Sequence, residues 1–278
     1  MIRKLRVAWR VAGVIAGFGF CVPFHYLWKL LGRRSPWPRI FLRWTARRSG
    51  LRVTVEGRPL PANALYVANH VSWLEIFAIG GASPAIFVAK SDVQDQPVYG
   101  WASSLNDCIY INRDVRSTVL GQADDLREGL VAGRAVCLFP EGTTGPGDVV
   151  LPFRPSLFAS LYPPIPGVMV QPVAVDFGPG SGEAAWIGDE AYAVNLGKML
   201  GRPGHLPVTL RFLDPIDPAQ AGDRKRAAFL AREAIVASLE ASGTLTPRQG
   251  LHSVPAMAVT ERILVQGKER GGSDAIAS

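Results

Sequence analysis

The chain has 278 residues, with 30 Lys/Arg against 23 Asp/Glu, 48% hydrophobic residues and a mean hydropathy of +0.15. That length holds one sizeable core, the hydropathy is high for a freely soluble enzyme, and three cysteines are too few for a disulfide-stapled scaffold. Twelve of the basic residues precede Glu56 with no acid among them, leaving eighteen basic against twenty-three acidic residues beyond, so the expected partner is an anionic membrane surface and not a nucleic acid.

The first predicted element is the apolar run Val11–Trp28. As a helix it would be about 27 Å long at ~1.5 Å per residue, close to a bilayer core of ~30 Å. Both flanks are basic and Pro23 interrupts the run, which favours a monotopic insertion with both ends cytoplasmic over a single span. No small-residue cleavage site follows before Arg33-Arg34, so a cleaved signal peptide is not expected. Trp37, Ile40, Phe41 and Trp44 then recur at helical spacing while Arg39, Arg43 and Arg47 recur every four residues. This pattern predicts a basic amphipathic helix in the lipid interface, its arginines set against anionic headgroups. Residues 1–50 are therefore expected to govern where the protein sits and not what it catalyses.

Strands are expected at 52–56, 64–68, 85–89, 109–111, 135–139, 168–175 and 207–213, and helices near 73–82, 117–131, 153–161 and 223–240. The alternation predicts an α/β fold, a central, mostly parallel or mixed sheet flanked by helices, as one catalytic domain over residues 51–241. Residues 242–278 read as an extension whose end is a disordered tail. Cys21, Cys108 and Cys137 are scattered and read as small core residues in a reducing compartment. No Cys/His cluster has metal-ligand spacing and no dinucleotide glycine fingerprint occurs, so neither a metal nor a cofactor is expected.

Two segments carry chemistry. Asn69-His70-Val71-Ser72-Trp73-Leu74-Glu75-Ile76 closes one strand and opens a helix. Ser72 and Glu75 form an S-x-x-E capping box, with Ser72 as N-cap and Glu75 folding back toward His70. A histidine oriented by an acid takes a proton from a hydroxyl near neutral pH without a serine or cysteine nucleophile. A purely structural pair, Glu75 capping and His70 buried, fits the same pattern. The second segment, Pro140-Glu141-Gly142-Thr143-Thr144-Gly145-Pro146-Gly147, follows a buried strand. Its glycines and threonines offer backbone N–H groups and hydroxyls to an anion at the strand edge where α/β sheets bind ligands.

Together the two blocks resemble the glycerolipid acyltransferase family of the bacterial 1-acylglycerol-3-phosphate acyltransferase type, as its N-H-x-S-x-x-D/E and F-P-E-G-T motifs. The family's other two motifs resemble Ile109-Tyr110-Ile111-Asn112-Arg113 and Val170-Gln171-Pro172-Val173-Ala174-Val175, all four in the family's order. The resemblance covers roughly residues 50 to 215. It implies transfer of a fatty acyl chain from acyl-CoA or acyl carrier protein to the hydroxyl of a lysolipid, in the first place 1-acyl-sn-glycerol-3-phosphate to give phosphatidic acid, at the cytoplasmic face of the inner membrane. It implies His70 as base, Glu75 as its partner, and Lys90, Arg113, Glu141, Gly142, Thr143 and Arg154 around the substrate. The chain departs from the family at Glu75, where aspartate is commoner, and at Phe153-Arg154-Pro155-Ser156-Leu157-Phe158, where F-K-x-G-x-F is usual. With Trp73 and Trp186-Ile187-Gly188-Asp189, these departures resemble the branch containing lyso-ornithine lipid acyltransferases, an alternative to 1-acyl-sn-glycerol-3-phosphate as acceptor. A lipid hydrolase is disfavoured because no G-x-S-x-G elbow occurs, and a non-catalytic membrane module leaves the four motifs unexplained.

Overall fold

The computed structural model describes residues 1–90, 105, 108–111, 119–188 and 190–246. Helices α1 (Ile2–Leu30) and α2 (Trp37–Arg48) lead into β1 (Leu51–Gly57), β2 (Ala64–Ala68), α3 (Leu74–Ala82), β3 (Ile86–Lys90) and β4 (Ile109–Ile111). Then come α4 (Val119–Val131), β5 (Ala135–Leu138), β6 (Met169–Asp176), α5 (Tyr192–Gly201), β7 (Leu206–Phe212) and α6 (Arg224–Ala241). The strands form one sheet in the order β1-β7-β6-β2-β5-β3-β4, parallel throughout except where β7 runs antiparallel to β6. All seven expected strands are present, which agrees with the predicted α/β class.

Strand β2 is buried along its whole length, because both its neighbours are parallel strands and both its faces are covered. Ala64, Tyr66 and Ala68 point to the core under α3 and α5, and Leu65 and Val67 to the core under α4 and α6. That period of two explains why β2 reads as a continuous apolar run. Two helix expectations need correction. Residues Pro155–Leu161 form a 3-10 helix, the proline fixing its first turn. Helix α5 was not foreseen, because two glycines and a central Asn195 lower its intrinsic propensity and only its tertiary contacts hold it.

The N-terminal helices are also not as expected. Pro23 lies inside α1, on its exposed side, and does not end it. The buried residues of α1 are Arg10, Gly17, Cys21 and His25, a stripe at helical spacing that faces protein. Gly13 and Gly17 let α2 approach: a Cβ on Gly17 would come within 2.4 Å of the Trp44 ring, whose Nε1 donates to Gly13 O at 2.8 Å. Trp37 stacks on Phe24 and Phe41 meets Phe18 edge-on, so with Trp44 three of the four residues of the predicted anchor face meet α1.

The arginines turn inward too. Arg39 donates to Ala82 O at 2.7 Å and Arg43 to Gly81 O at 3.0 Å, so two of the three supposed headgroup ligands cap the C-terminus of α3. The approach is close enough that a Cβ on Gly81 would lie 2.7 Å from the Arg43 backbone. Arg10, 9% exposed, donates to Met199 O, Leu200 O and Gly204 O at 3.1, 3.2 and 3.0 Å, and Arg6 donates to Gly201 O at 2.7 Å. Both close the C-terminal end of α5. Substituting Arg10 by glutamine leaves carbonyls of that end without a donor, at about 1–3 kcal/mol each if they stay dry. We expect Arg10→Gln to lower turnover roughly tenfold even in detergent micelles, where no bilayer has to be found. Unchanged micellar turnover would restore the division between an anchoring segment and a catalytic one.

Candidate active site

Strands β2, β5, β3 and β6 are parallel, so Asn69-His70, Phe139-Pro140, Lys90 and Asp176 all lie at one edge of the sheet. The turn after β2 is short because Glu75, the second residue of α3, reaches back over it. Its Oε1 accepts from Val71 N at 2.7 Å and Ser72 N at 2.9 Å. Its Oε2 lies 2.6 Å from His70 Nδ1. The capping box is one-sided: Ser72 Oγ accepts only a 3.4 Å contact from Leu74 N, and α3 begins at Leu74. Glu75 thus does both things the sequence left open, closing the helix and holding the histidine.

Three acceptor contacts satisfy a carboxylate that is fully buried, while the His70 side chain keeps 19% of its surface exposed. A carboxylate only accepts, so Nδ1 carries the hydrogen and Nε2 is the basic nitrogen. The ring lies flat on Phe139, centroids 4.0 Å apart and planes 17° apart, which fixes the orientation that the Glu75 bond leaves free. Among the described residues no partner takes Nε2.

Glu141 braces this turn from below. It is 4% exposed, and its oxygens accept from His70 N at 2.8 Å and Leu151 N at 2.9 Å. Gly145 N donates to His70 O at 2.6 Å, so the glycine loop holds both backbone groups of the histidine. The resemblance implied Glu141 beside the substrate. Its geometry is that of a positioning residue instead, since both oxygens are already engaged by backbone N–H donors. Burial pushes the Glu141 carboxyl up to about 8, against the opposing pull of its two backbone N–H donors. The folded chain therefore holds this proton more tightly than the unfolded one. Its contribution to stability is full below the ordinary value of 4.5 and is lost as pH rises through about 8. Glu141→Gln should flatten that part of the melting-temperature profile relative to wild type. It should also lower turnover, because in either orientation its amide N–H₂ opposes one backbone N–H. Parallel melting curves from pH 5 to 8 would show that Glu141 is not the group responsible.

Gly142 adopts φ +76°, and a Cβ there would meet the Arg154 guanidinium at 2.7 Å, so the glycine makes room for that side chain. Arg154 is exposed and makes no side-chain hydrogen bond or ion pair among the described residues. Thr143 is exposed beside it, and the N–H groups of Thr143 and Thr144 have no acceptor among the described residues. Lys90 ends β3 at the same sheet edge; Arg113 lies outside the described residues. The site therefore brings together His70, Glu75, Glu141, Gly142, Thr143 and Arg154, in two layers: a buried acid pair beneath, and exposed donors above.

Sequence reasoning missed several supports. Asn69 bridges β2 to β6, donating to Val175 O at 2.9 Å and accepting from Val175 N at 2.8 Å. Trp186 N donates to Val71 O at 3.0 Å, and the Thr144 hydroxyl donates to Trp186 O. Trp73 Nε1 donates to Asn195 Oδ1 at 2.9 Å, and Asn195, fully buried, donates in turn to Glu190 Oε2 at 2.7 Å. The loop before α5 and the helix itself are thereby stapled to the catalytic turn, which explains the structural role of two tryptophans noted only as branch markers.

A family model described as Acyltransferase matches residues 52–176, the span that holds the His70 turn, the glycine loop and β6. The chain is 33% identical over 263 residues to the lyso-ornithine lipid O-acyltransferase of Brucella abortus (strain 2308), covering 87% of this chain and 97% of the relative. The chain belongs to the acyltransferase family. It is also 38% identical over 107 residues to the 1-acyl-sn-glycerol-3-phosphate acyltransferase of Neisseria gonorrhoeae, covering 37% and 42% of the two chains. The crystal structure of the 1-acyl-sn-glycerophosphate acyltransferase PlsC of Thermotoga maritima superposes with a TM-score of 0.62 at 20% identity, over 90% of this chain and all of the other. That likeness concerns the fold. In this acyltransferase the sheet edge that the motifs line carries the candidate site, and α1 is long and apolar enough to cross a membrane by length and composition.

Proposed function

We propose that this acyltransferase moves a fatty acyl chain from an acyl thioester, acyl-CoA or acyl carrier protein, to the free hydroxyl of a lysolipid. The observation that carries the reading is the 2.6 Å His70–Glu75 contact, which leaves Nε2 as an accessible base. His70 Nε2 takes the hydroxyl proton as the oxygen attacks the thioester carbonyl carbon, and Glu75 stabilises the imidazolium. The unoccupied N–H groups of Thr143 and Thr144 are the candidate donors to the tetrahedral oxyanion. Collapse breaks the C–S bond, and the imidazolium proton goes to the departing thiolate. The products are the ester and a free thiol, with no acyl-enzyme.

Arg154 is the candidate partner for the acceptor's anionic group. Its planar fork suits a carboxylate or a phosphate bidentately, whereas the lysine usual in the family is a point charge. The near-full-length likeness to a lyso-ornithine lipid O-acyltransferase favours lyso-ornithine lipid as acceptor over 1-acyl-sn-glycerol-3-phosphate. Thiol release from acyl-CoA and from acyl carrier protein, with and without each lysolipid, tests this. Acceptor-dependent release supports transfer; acceptor-independent release would make the chain a hydrolase, and silence with every donor a binding module. Arg154→Leu should raise the acceptor KM about tenfold with little change in the donor KM, since a charge-assisted hydrogen bond is worth ~1.5–3 kcal/mol.

The site is expected to work at the cytoplasmic face of the inner membrane, with α1 lying in the surface and not across it. Arg6 and Arg10 tie one end of α1 to α5, and Gly13 and Gly17 seat its middle on α2. These contacts hold one face of α1 to its own domain, which supports a helix along the surface over one across it. Leu5, Trp9, Ile15 and Phe20 remain exposed on its other side, a face to lie in the lipid interface.

A further inference from the structure

Between α2, α3 and the outer strand β1 lies a groove of about 570 Å³ that the acyl-transfer reading does not use. That volume is within the range of small-ligand sites. Its wall carries Arg43, Arg47, Arg52 and His205, with no acidic residue among the described residues, and Val53 and Phe77 are among its apolar lining. Arg43 spends its Nε on Gly81 O, but Arg47 and Arg52 make no side-chain hydrogen bond or ion pair among the described residues. Two unpaired guanidinium groups over an apolar floor match a molecule that is anionic at one end and hydrocarbon at the other.

The groove's position says which such molecule. On a helix turning ~100° per residue, Arg47 projects between Arg43 and the exposed pair Ile40 and Trp44, all within about one quadrant to a third of the circumference. Ile40 and Trp44 are 44% and 39% exposed, and Trp44 rests on α1, whose other side is exposed and apolar. The mouth of the groove therefore borders the surface that meets lipid, while β1, as an edge strand, leaves its side open. An acidic protein would use the arginines but not the hydrocarbon floor.

We propose that this groove holds one anionic membrane phospholipid, headgroup phosphate on Arg47, Arg52 and His205 and an acyl chain along Val53 and Phe77, apart from the His70–Glu75 pair. The proposal requires α1 and α2 to lie on lipid and is independent of which acyl acceptor is used. Native mass spectrometry of the full chain in detergent, with phosphatidylglycerol or phosphatidylcholine added at equal concentration, tests it. Wild type should retain one phosphatidylglycerol in clear preference to phosphatidylcholine. Arg47→Gln with Arg52→Gln should weaken that adduct by roughly tenfold or more. Val53→Trp fills the floor without changing charge and should weaken it as much; Val55→Trp, at the exposed edge of the groove, serves if the first does not fold. Absence of a phosphatidylglycerol adduct on wild type overturns the proposal, as does equal retention of phosphatidylcholine. Loss in the arginine variant with full retention in a folded tryptophan variant overturns it too, since diffuse surface charge would then be responsible. Binding of acyl carrier protein in place of lipid, abolished by the same arginine changes, would replace the lipid with an acidic protein.

Discussion

His70→Ala is expected to lower turnover by about 10²–10⁴-fold and to leave the fold intact. The ring is partly exposed at the sheet edge, resting on Phe139 and not filling a core layer, so its removal opens no deep cavity. Glu75 keeps its two backbone donors, Val71 N and Ser72 N, so the turn that carries residue 70 stays closed. Glu141 still holds the residue-70 N–H, because that contact is to the backbone. What disappears is the proton acceptor. The acceptor KM should therefore move much less than kcat, and near-normal circular dichroism and melting should accompany the loss. A variant keeping half of wild-type turnover would remove His70 from the chemistry.

The second large effect is expected from a change of one atom. In Glu75→Gln the side chain must place its oxygen on Val71 N and Ser72 N, since the reverse orientation would set an N–H₂ group against two backbone donors. Its nitrogen then faces His70 Nδ1 and donates to it. Nδ1 becomes the acceptor and the hydrogen moves to Nε2, so the atom facing the substrate is no longer basic. A forced tautomer of this kind costs up to about 10⁴-fold in turnover where a histidine is the base. The helix cap survives, so stability should change little. Glu75→Asp keeps the charge and restores the residue commoner in the family, and it should stay measurably active. Equal turnover for the Gln and Glu forms would reduce Glu75 to a cap, and the ~10²-fold gap expected between Asp and Gln would vanish with it.

These two effects rest on a feature that local sequence specifies. His70 and Glu75 are five residues apart, and a capping box can only fold back onto the residues just before it. The seven strands were legible for a similar reason: apolar periodicity reports burial, and burial on both faces of β2 turns alternation into a continuous run. The Pro140–Gly147 loop was legible as a loop, since proline and glycine stop strands, and Gly142 does adopt a positive φ.

Tertiary structure decided what those residues face. Glu141 reads in sequence as part of a substrate loop, and only the pairing of β2 with β5 brings it under the His70 N–H, seventy-one residues away. Asn195 carries no signal in sequence, because its partner Trp73 lies 122 residues off and its helix has weak propensity. The arginines are the clearest case. A period of four in Arg39, Arg43 and Arg47 says that they share a helical face, but a guanidinium is satisfied as well by the open carbonyls of a helix end as by a lipid phosphate. In this fold the ends of α3 and α5 lie against α2 and α1, so Arg39 and Arg43 close α3 and Arg6 and Arg10 close α5. The sequence by itself determined the seven strands, most of the helices and where a proton acceptor sits beside an acid. Which way the N-terminal cations point was decided by which helix ends the sheet topology leaves open beneath them, and periodicity carries no information about that.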